Sequence, residues 1–505
     1  MRGRSRIACI SAAAFAAIHS VSLLQAADLT WDADPGTPGI QDAAGDWNTT
    51  NTNWFNGATN VPWSNAAPDA AFFGSAAGVF NNATPTNNVT VNSAITVQNI
   101  NLGIGSNGAG YNILDDFGSG VLTLAGNVEK SSSDGVSQFA LGNGLALTSG
   151  QHTFKLRDTP GPAPELTIDN AITGSGGITL NNDTYDQWGT MVFTSGNNYS
   201  GGTNLVKGRL VITGAGQLGT GAVNISSAGA LNFYGANTTF NGDVTVSNPI
   251  NISRSVYDGA GFDNYRAAII SENTGNANSV MTFDGPFTIN STDARVQANT
   301  SRILISSNIQ GAAADSTLTV DGDFAGFVSL TGNNTALQGG IRLIGGVQLD
   351  VTSQNNLGGP SSPLTFAGSA TLHPIGGFMT SFGSHVINTG SFNGGINVDG
   401  GHSFTINENL TGGSLGKRGD GTLNIGGTNN LTGGQTFWDA GTVNLTGAGT
   451  STYHSIHLRS PVVNLSSGTV TTANNTTSFG ESSKGTRRMV SRFARVVAGS
   501  RAHDR

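Results

Sequence analysis

The chain has 505 residues, 73 of them Gly, with 11% charged residues and one Cys. Globular domains carry about 25% charged residues, disordered chains lack the 37% hydrophobic content present, and collagen would repeat glycine at every third position. The formal charge of −8 divides into +3 over residues 1–26, +5 over 481–505 and −16 between them; so acidic a body excludes a surface for DNA or RNA phosphates.

Residues 1–26 read as an export signal. Arg2, Arg4 and Arg6 form a positive start, Ile7 to Val21 an apolar stretch, and Leu24-Gln25-Ala26 a cleavage site before Ala27. The apolar stretch is too short for a stable membrane span, and no later stretch approaches the ~20 apolar residues that one needs. Cleavage would remove Cys9, leaving a mature chain with neither disulfide nor thiolate ligand.

Residues 27–75 hold Trp31, Trp47, Trp54 and Trp63, four of the six Trp, with Asn and Asp interleaved. Two readings stand. Flat aromatics beside hydrogen-bonding side chains can hold a sugar ring, so all four are candidate glycan-binding residues. Alternatively they fill the open end of a repeat structure, since Trp closes a large apolar gap efficiently; the segment is then an N-terminal cap. Asp32, Asp34, Asp42 and Asp46, with Asp321-Gly322-Asp323 further on, are carboxylates in turn-rich sequence. They leave Ca²⁺ as the one cofactor open to the chain, although the tandem nonapeptide of calcium β-rolls is missing.

From 76 to 475 short apolar runs alternate with Gly/Asn clusters, as in "VTVNSAITVQNINLG", "GRLVITG" and "GTLNIGG". Runs of four to eight residues, rich in β-branched side chains and bounded by turn formers, are strands. Sustained helical periodicity is all but missing, so the chain is all-β. Part of it repeats. Asn197-Asn198, Gly201-Gly202 and Gly208 in "SGNNYSGGTNLVKGRLVI" align with Asn429-Asn430, Gly433-Gly434 and Gly441 in "GTNNLTGGQTFWDAGTVNLT"; a looser copy runs from Asn333-Asn334 to Gly339-Gly340. The shared frame is strand, Asn-Asn, Gly-Gly, strand, Gly, strand. A unit of ~25 residues loses ~1–2 kcal/mol of backbone entropy per residue, which half a dozen inward side chains at ~1.5–3 kcal/mol each do not offset. Such units fold only when stacked, and a parallel β-helix with Gly and Asn ladders in its turns is expected.

Other motifs dissolve against this background. Gly214-x-Gly216-x-x-Gly219 and Gly103-x-Gly105-x-x-Gly108 have the dinucleotide spacing but lack a following helix. Gly412-x-Ser414-x-Gly416 lacks the strand–turn–helix of a nucleophile elbow. His454 and His457, three apart on a strand, are expected on opposite faces and so off a common metal. Past Phe479 the composition turns Arg-rich. Residues 476–505 read as a disordered basic tail, with a short membrane-surface helix around Met489, Phe493 and Val497 as the other possibility.

"KRGDGTLNIGGTNNLTGGQTFWDAGTVNLTG" (417–447) carries a Lys-x-Gly-x-Gly-x-Leu start, then Asn-Asn, Gly-Gly and a Gly-bounded strand. With 189–214 as a second copy, it resembles the autotransporter-associated (passenger-associated-transport) β-strand repeats of large exported bacterial proteins. The resemblance implies a right-handed parallel β-helix at or beyond the cell surface, and names no reaction. Three functions remain. The first is a non-catalytic structural or adhesion protein, secreted or surface-associated, whose partners are extracellular polysaccharide or other surface proteins. The second is a pectin-lyase-like enzyme using charged residues on one face, for which Arg209 and Arg342 project from matching strands. The third is a carbohydrate-binding module using the Trp-rich end. No convergent catalytic set is read, and the first is preferred.

Overall fold

The computed structural model describes residues 26–479 apart from 67, 75–86, 105–109, 116–117, 119, 132–134, 158–163, 183–188, 235–241, 255–266, 273–278, 324, 389–391, 460, 466–468 and 474–476. The expected export signal and most of the basic tail lie outside the described residues.

The run "NVTVNSAITVQNINL" builds one coil. It forms the strands Asn88–Val91, Ala94–Val97 and Asn99–Leu102, in each of which buried apolar residues alternate with outward ones, all polar except the exposed Ala94. Breaks of two residues and one residue bend the chain between strands before any hairpin can form. The next coil, Asn112–Asp115, Val121–Leu124 and Val128–Lys130, lies strand for strand in parallel register on the first. Repetition of this step gives a β-solenoid with three faces.

Two faces merge into one 25-stranded sheet, because Thr203–Ile212 and Val223–Tyr234 run unbroken through the bend between them. A register shift between Leu205 and Lys207 and the stacked Gly208 and Gly229 mark that corner. The sequence led us to expect a strand break at Gly208; instead the strand kinks there as at a bulge. The third face begins as the four strands from Ala94–Val97 to Ile172–Gly174 and resumes at Val244–Val246. Coil length runs from 19 residues (Phe193 to Ile212) to 38 (Phe233 to Ser271). Two 3-10 turns, Gln354–Leu357 and Ile375–Gly377, lie between strands of the later coils.

Inward side chains stack in columns along the axis. Val89, Ile113, Phe139, Ile168, Phe193, Ile212 and Phe233 follow one another in register, all buried. Each is covered above and below by its neighbours in the column, so the core is continuous while every coil depends on the two beside it.

At the N-terminal end the parallel pattern stops. Asp28–Trp31 pairs in parallel with Ala70–Phe73 but antiparallel with Trp54–Phe55, which pairs antiparallel with Asn60–Val61. This short ribbon covers a sheet edge that would otherwise present unpaired backbone groups. Beneath it the four Trp rings, Phe73 and Tyr111 pack together, with centroids 4.7 Å apart for Trp54–Trp63 and 5.0 Å for Trp47–Trp54. Trp31 and Trp63 also donate their indole N–H groups to Ala43 O (3.0 Å) and Thr96 O (3.1 Å). Trp54→Ala would leave a cavity costing about 3–5 kcal/mol. Because contacts are nearest-neighbour, the loss should fall on the first coils. Denaturant unfolding followed by limited proteolysis should show 27–130 cleaved early, with the later coils still protected.

Candidate functional site

The four Trp of the aromatic end present no ring face to a sugar. Trp31, Trp47, Trp54 and Trp63 are 0–2% exposed, so their ring faces meet one another rather than solvent. A neighbouring hollow of about 620 Å³ is lined by Asp32, Pro35, Thr37, Ile40, Phe55 and Asn60. The Asp32 carboxylate there accepts Gln41 N–H at 3.0 Å and the Asn60 amide at 2.8 Å.

The repeat residues hold coils together. Asn197 Oδ1 accepts Ile172 N–H (2.6 Å) from the coil before, while its Nδ2 donates to Gln217 O (2.5 Å) of the coil after. Asn334 makes the same pair of bonds, accepting Ile309 N–H (2.8 Å) and donating to Asn356 O (2.7 Å). Asn429 accepts Leu410 N–H at 2.9 Å and donates to Gly427 O at 3.2 Å. The partner Asn of each pair (Asn198, Asn333, Asn430) is exposed. The middle copy is thus displaced by one residue from the alignment made on sequence. Asn182, in another Asn-Asn pair, does the same work by accepting Leu156 N–H (2.8 Å) and donating to Gly189 O (3.2 Å); the dipeptide was its only signal.

The glycine pairs mark close contact between bends. Gly201-Gly202 lies on Gly176-Gly177, where a side chain at Gly201 would come within 2.3 Å of Gly177 N. Gly433-Gly434 lies beside Gly412-Gly413 in the same way. Gly441, at φ +70, turns the chain against Gly421. Lys417 occupies an inward position in the column Ile396-Lys417-Trp438. Its stem is buried, and Nζ donates to the carbonyls of Arg418 (2.7 Å), Gly419 (2.6 Å) and Ala440 (3.2 Å). Burial lowers its ammonium to about 8, with Asp420 and Asp439 pulling back upward. The Lys of the repeat pattern is therefore a structural cap on a corner, a role that binary patterning hides because a charge sits at a core position.

The remaining motifs fall into place as turns and strands. Gly214 to Gly219 lies in the bend before Val223–Tyr234, where Gln217 accepts Thr213 N–H at 2.7 Å. Its twin falls partly outside the described residues. Ser414 sits inside the strand Thr411–Arg418 and donates to Asn393 Oδ1 at 2.9 Å. His454 and His457 do not alternate as expected: Tyr453 and Ile456 are both buried, leaving both histidines half-buried outside the core, with His457 stacked on Phe437 at 4.8 Å. Asp323 accepts backbone N–H groups from Thr300 and Ala325. Among the described residues no three His, Cys, Asp or Glu side chains gather as a metal site.

What remains for recognition is the outer surface, where register lines polar residues into columns. Arg209 and Arg342 do share one, but Arg209 Nε donates to Thr190 (3.2 Å), Arg342 faces Asp293 (3.7 Å), and Arg295 between them faces Asp321 (3.5 Å). These are separate pairs rather than one convergent set. On another face Thr179, Asn204, Asn224 and Asn251 form a ladder, and Thr405, Asn424, Asn444 and Asn464 form a second on later coils. Ladders were expected in the turns, but they run along strand faces, because only there does strict register bring identical side chains into contact. A groove of about 370 Å³ at the N-terminal end of the first ladder is lined by Asp28, Phe72, Asn101, Glu129, Thr153 and Lys155 among others.

On the third face three successive coils clamp His373. Its Nδ1 lies 2.9 Å from Asp350 Oδ1 and its Nε2 lies 3.0 Å from Asp399 Oδ1. Gln348 donates to the same Asp350 oxygen, and Gly376 N–H to Asp399. The bond with Asp350 holds the imidazole above its ordinary value, burial opposing and Asp399 adding; the bond from His373 holds Asp399 below the usual carboxylate range.

Two measurements follow. Asn429→Ala should destabilise the chain by about 1–3 kcal/mol, because Leu410 N–H is left buried without its acceptor, whereas Asn430→Ala should change stability by less than about 0.5 kcal/mol. His373 has a raised value when folded, so its contribution is complete below the ordinary value of 6.5 and is lost as pH rises through the raised value. Asp399 has a lowered one, so its share is present above 3.8 and lost as pH falls through the lowered value. Thermal unfolding should therefore show a plateau between these limits that declines on the alkaline side, and His373→Gln should remove that decline.

No family model and no solved structure matches the chain. It is 27% identical over 425 residues to the adhesin BmaC autotransporter of Brucella suis biovar 1 (strain 1330), an alignment covering 71% of this chain and 12% of that protein. The chain thus spans only a small part of the relative's length. Together with the stacked repeats and the parallel coil they build, this similarity supports the assignment of the chain as an autotransporter-associated β-helix protein.

Proposed function

We propose that the chain is an exported, surface-exposed or secreted, non-catalytic β-helix of passenger type that acts in adhesion. The observation that carries this reading is the register itself. Polar side chains at the bends are committed to neighbouring coils, and those on the outer faces form regular columns, an arrangement suited to extended contact rather than to bond-making at one point. The similarity to an autotransporter adhesin supports the same direction. A polysaccharide-cleaving reading would need carboxylates and Arg converging in one groove, and the Arg column is divided into separate ion pairs instead. No cofactor enters the proposed function; its partners are extracellular polysaccharide or surface proteins.

The test uses the full chain in a bacterial host. Fractionation should find it outside the cytoplasm with Ala27 as the first residue. Beads coated with the purified chain should be held by cell and extracellular-matrix surfaces more strongly than albumin-coated beads, without release of reducing sugar from polysaccharides. Cytoplasmic retention with an uncut leader, or sugar release, would overturn the proposal.

A further inference from the structure

We infer that the face bearing the first amide ladder is a binding track for a linear, uncharged, β-linked polysaccharide lying along the solenoid axis. This rests on the adhesion reading and gives it a surface and a ligand chemistry.

Three observations converge. The first is periodicity. Thr153, Thr179, Asn204, Asn224, Asn251, Thr288 and Gln310 follow in unbroken register on successive coils. Coils rise by about 4.8 Å, close to the length of one pyranose residue, so each sugar along an extended chain meets a chemically similar partner. The second is orientation. Asn224 Nδ2 donates to Asn204 Oδ1, and Asn251 Nδ2 donates to Asn224 Oδ1, both at 2.9 Å. An amide has two donors and two acceptor sites; Asn224 spends one of each on its neighbours, which fixes the plane of its amide and turns its second N–H and second lone pair outward, while Asn204 is held from the preceding coils by Gln151 and Thr179. Sugar hydroxyls, each both donor and acceptor, fit such a row, and the ordering cost of the amides is already met by the ladder.

The third is the groove at the N-terminal end. Thr153 belongs both to its lining and to the register column, so groove and ladder are continuous. Phe72 stands half-exposed in register with Asn101, Glu129 and Lys155. An aromatic face among amides and charged groups is suited to one sugar ring, with the ladder taking those that follow. Charge selects a neutral polymer. From Thr179 to Gln310 the column carries no ionisable side chain, the groove holds both signs, and the body of the chain, at −16, repels polyanions.

Affinity electrophoresis of the full chain in native gels tests the inference. Hydroxyethylcellulose and glucomannan should retard it, and polygalacturonate should not. Phe72→Ala and the double variant Asn224→Ala/Asn251→Ala should each weaken retardation about tenfold, roughly 1.4 kcal/mol, while Thr123→Ala on the third face of the same coils leaves it unchanged. Unaltered near-UV circular dichroism would confirm folding. If Phe72→Ala fails to fold, Phe72→Leu keeps the bulk and removes the ring. Retardation by polygalacturonate alone, no retardation by either neutral polymer, or equal retardation of all variants would overturn the track. Bead adhesion that persists without neutral-polymer binding would do so while leaving the adhesion function standing.

Discussion

A coil of three short strands cannot satisfy its own backbone. Every N–H and C=O on its faces points along the axis, and each must find its complement one coil away. Nearly all else in the molecule answers that requirement. The strands need only alternate and stay in register, so they can be three or four residues long and built from many sequences. The bends are harder, because there the backbone leaves the ladder and its groups are buried without a strand opposite. Asn182, Asn197, Asn334 and Asn429 fill those positions, each with a side chain that copies the donor and acceptor of a peptide unit. Lys417 answers the same need where three carbonyls converge.

The ends pose the inverse difficulty. A parallel ladder that simply stopped would leave a polar edge and an open hydrophobic column. The N-terminal segment meets both at once, with antiparallel pairing for the edge and a wedge of indole rings for the column. This is why its four Trp, for which the sequence favours a cap over a sugar platform, are sequestered. Packing took them before any ligand could.

Much of this was legible in the residues. Alternation between Gly/Asn clusters gave an all-β solenoid, and the Asn-Asn and Gly-Gly frames pointed to its bends. Other features were hidden for identifiable reasons. Which Asn of a pair faces inward depends on the phase of the bend against the coil beneath, so the middle copy was set one residue off. The outward ladders and the clamp on His373 join residues about one coil apart. With coils of 19 to 38 residues, no fixed period brings Asp350, His373 and Asp399 together on paper. A lysine at a core position breaks the pattern by which cores are recognised.

That variability of coil length separates two properties that are tied together in most folds. Rise along the axis is set by strand pairing alone, so a coil of 38 residues advances the structure no further than one of 19. Reach and decoration thus become independent variables. Reach is extended by adding coils, and surface character is altered by lengthening a bend, with neither change disturbing the other's geometry. In a protein whose outer surface is its working part, a bend can be rewritten without renegotiating the core, while an error of one residue in a strand would turn an entire coil inside out.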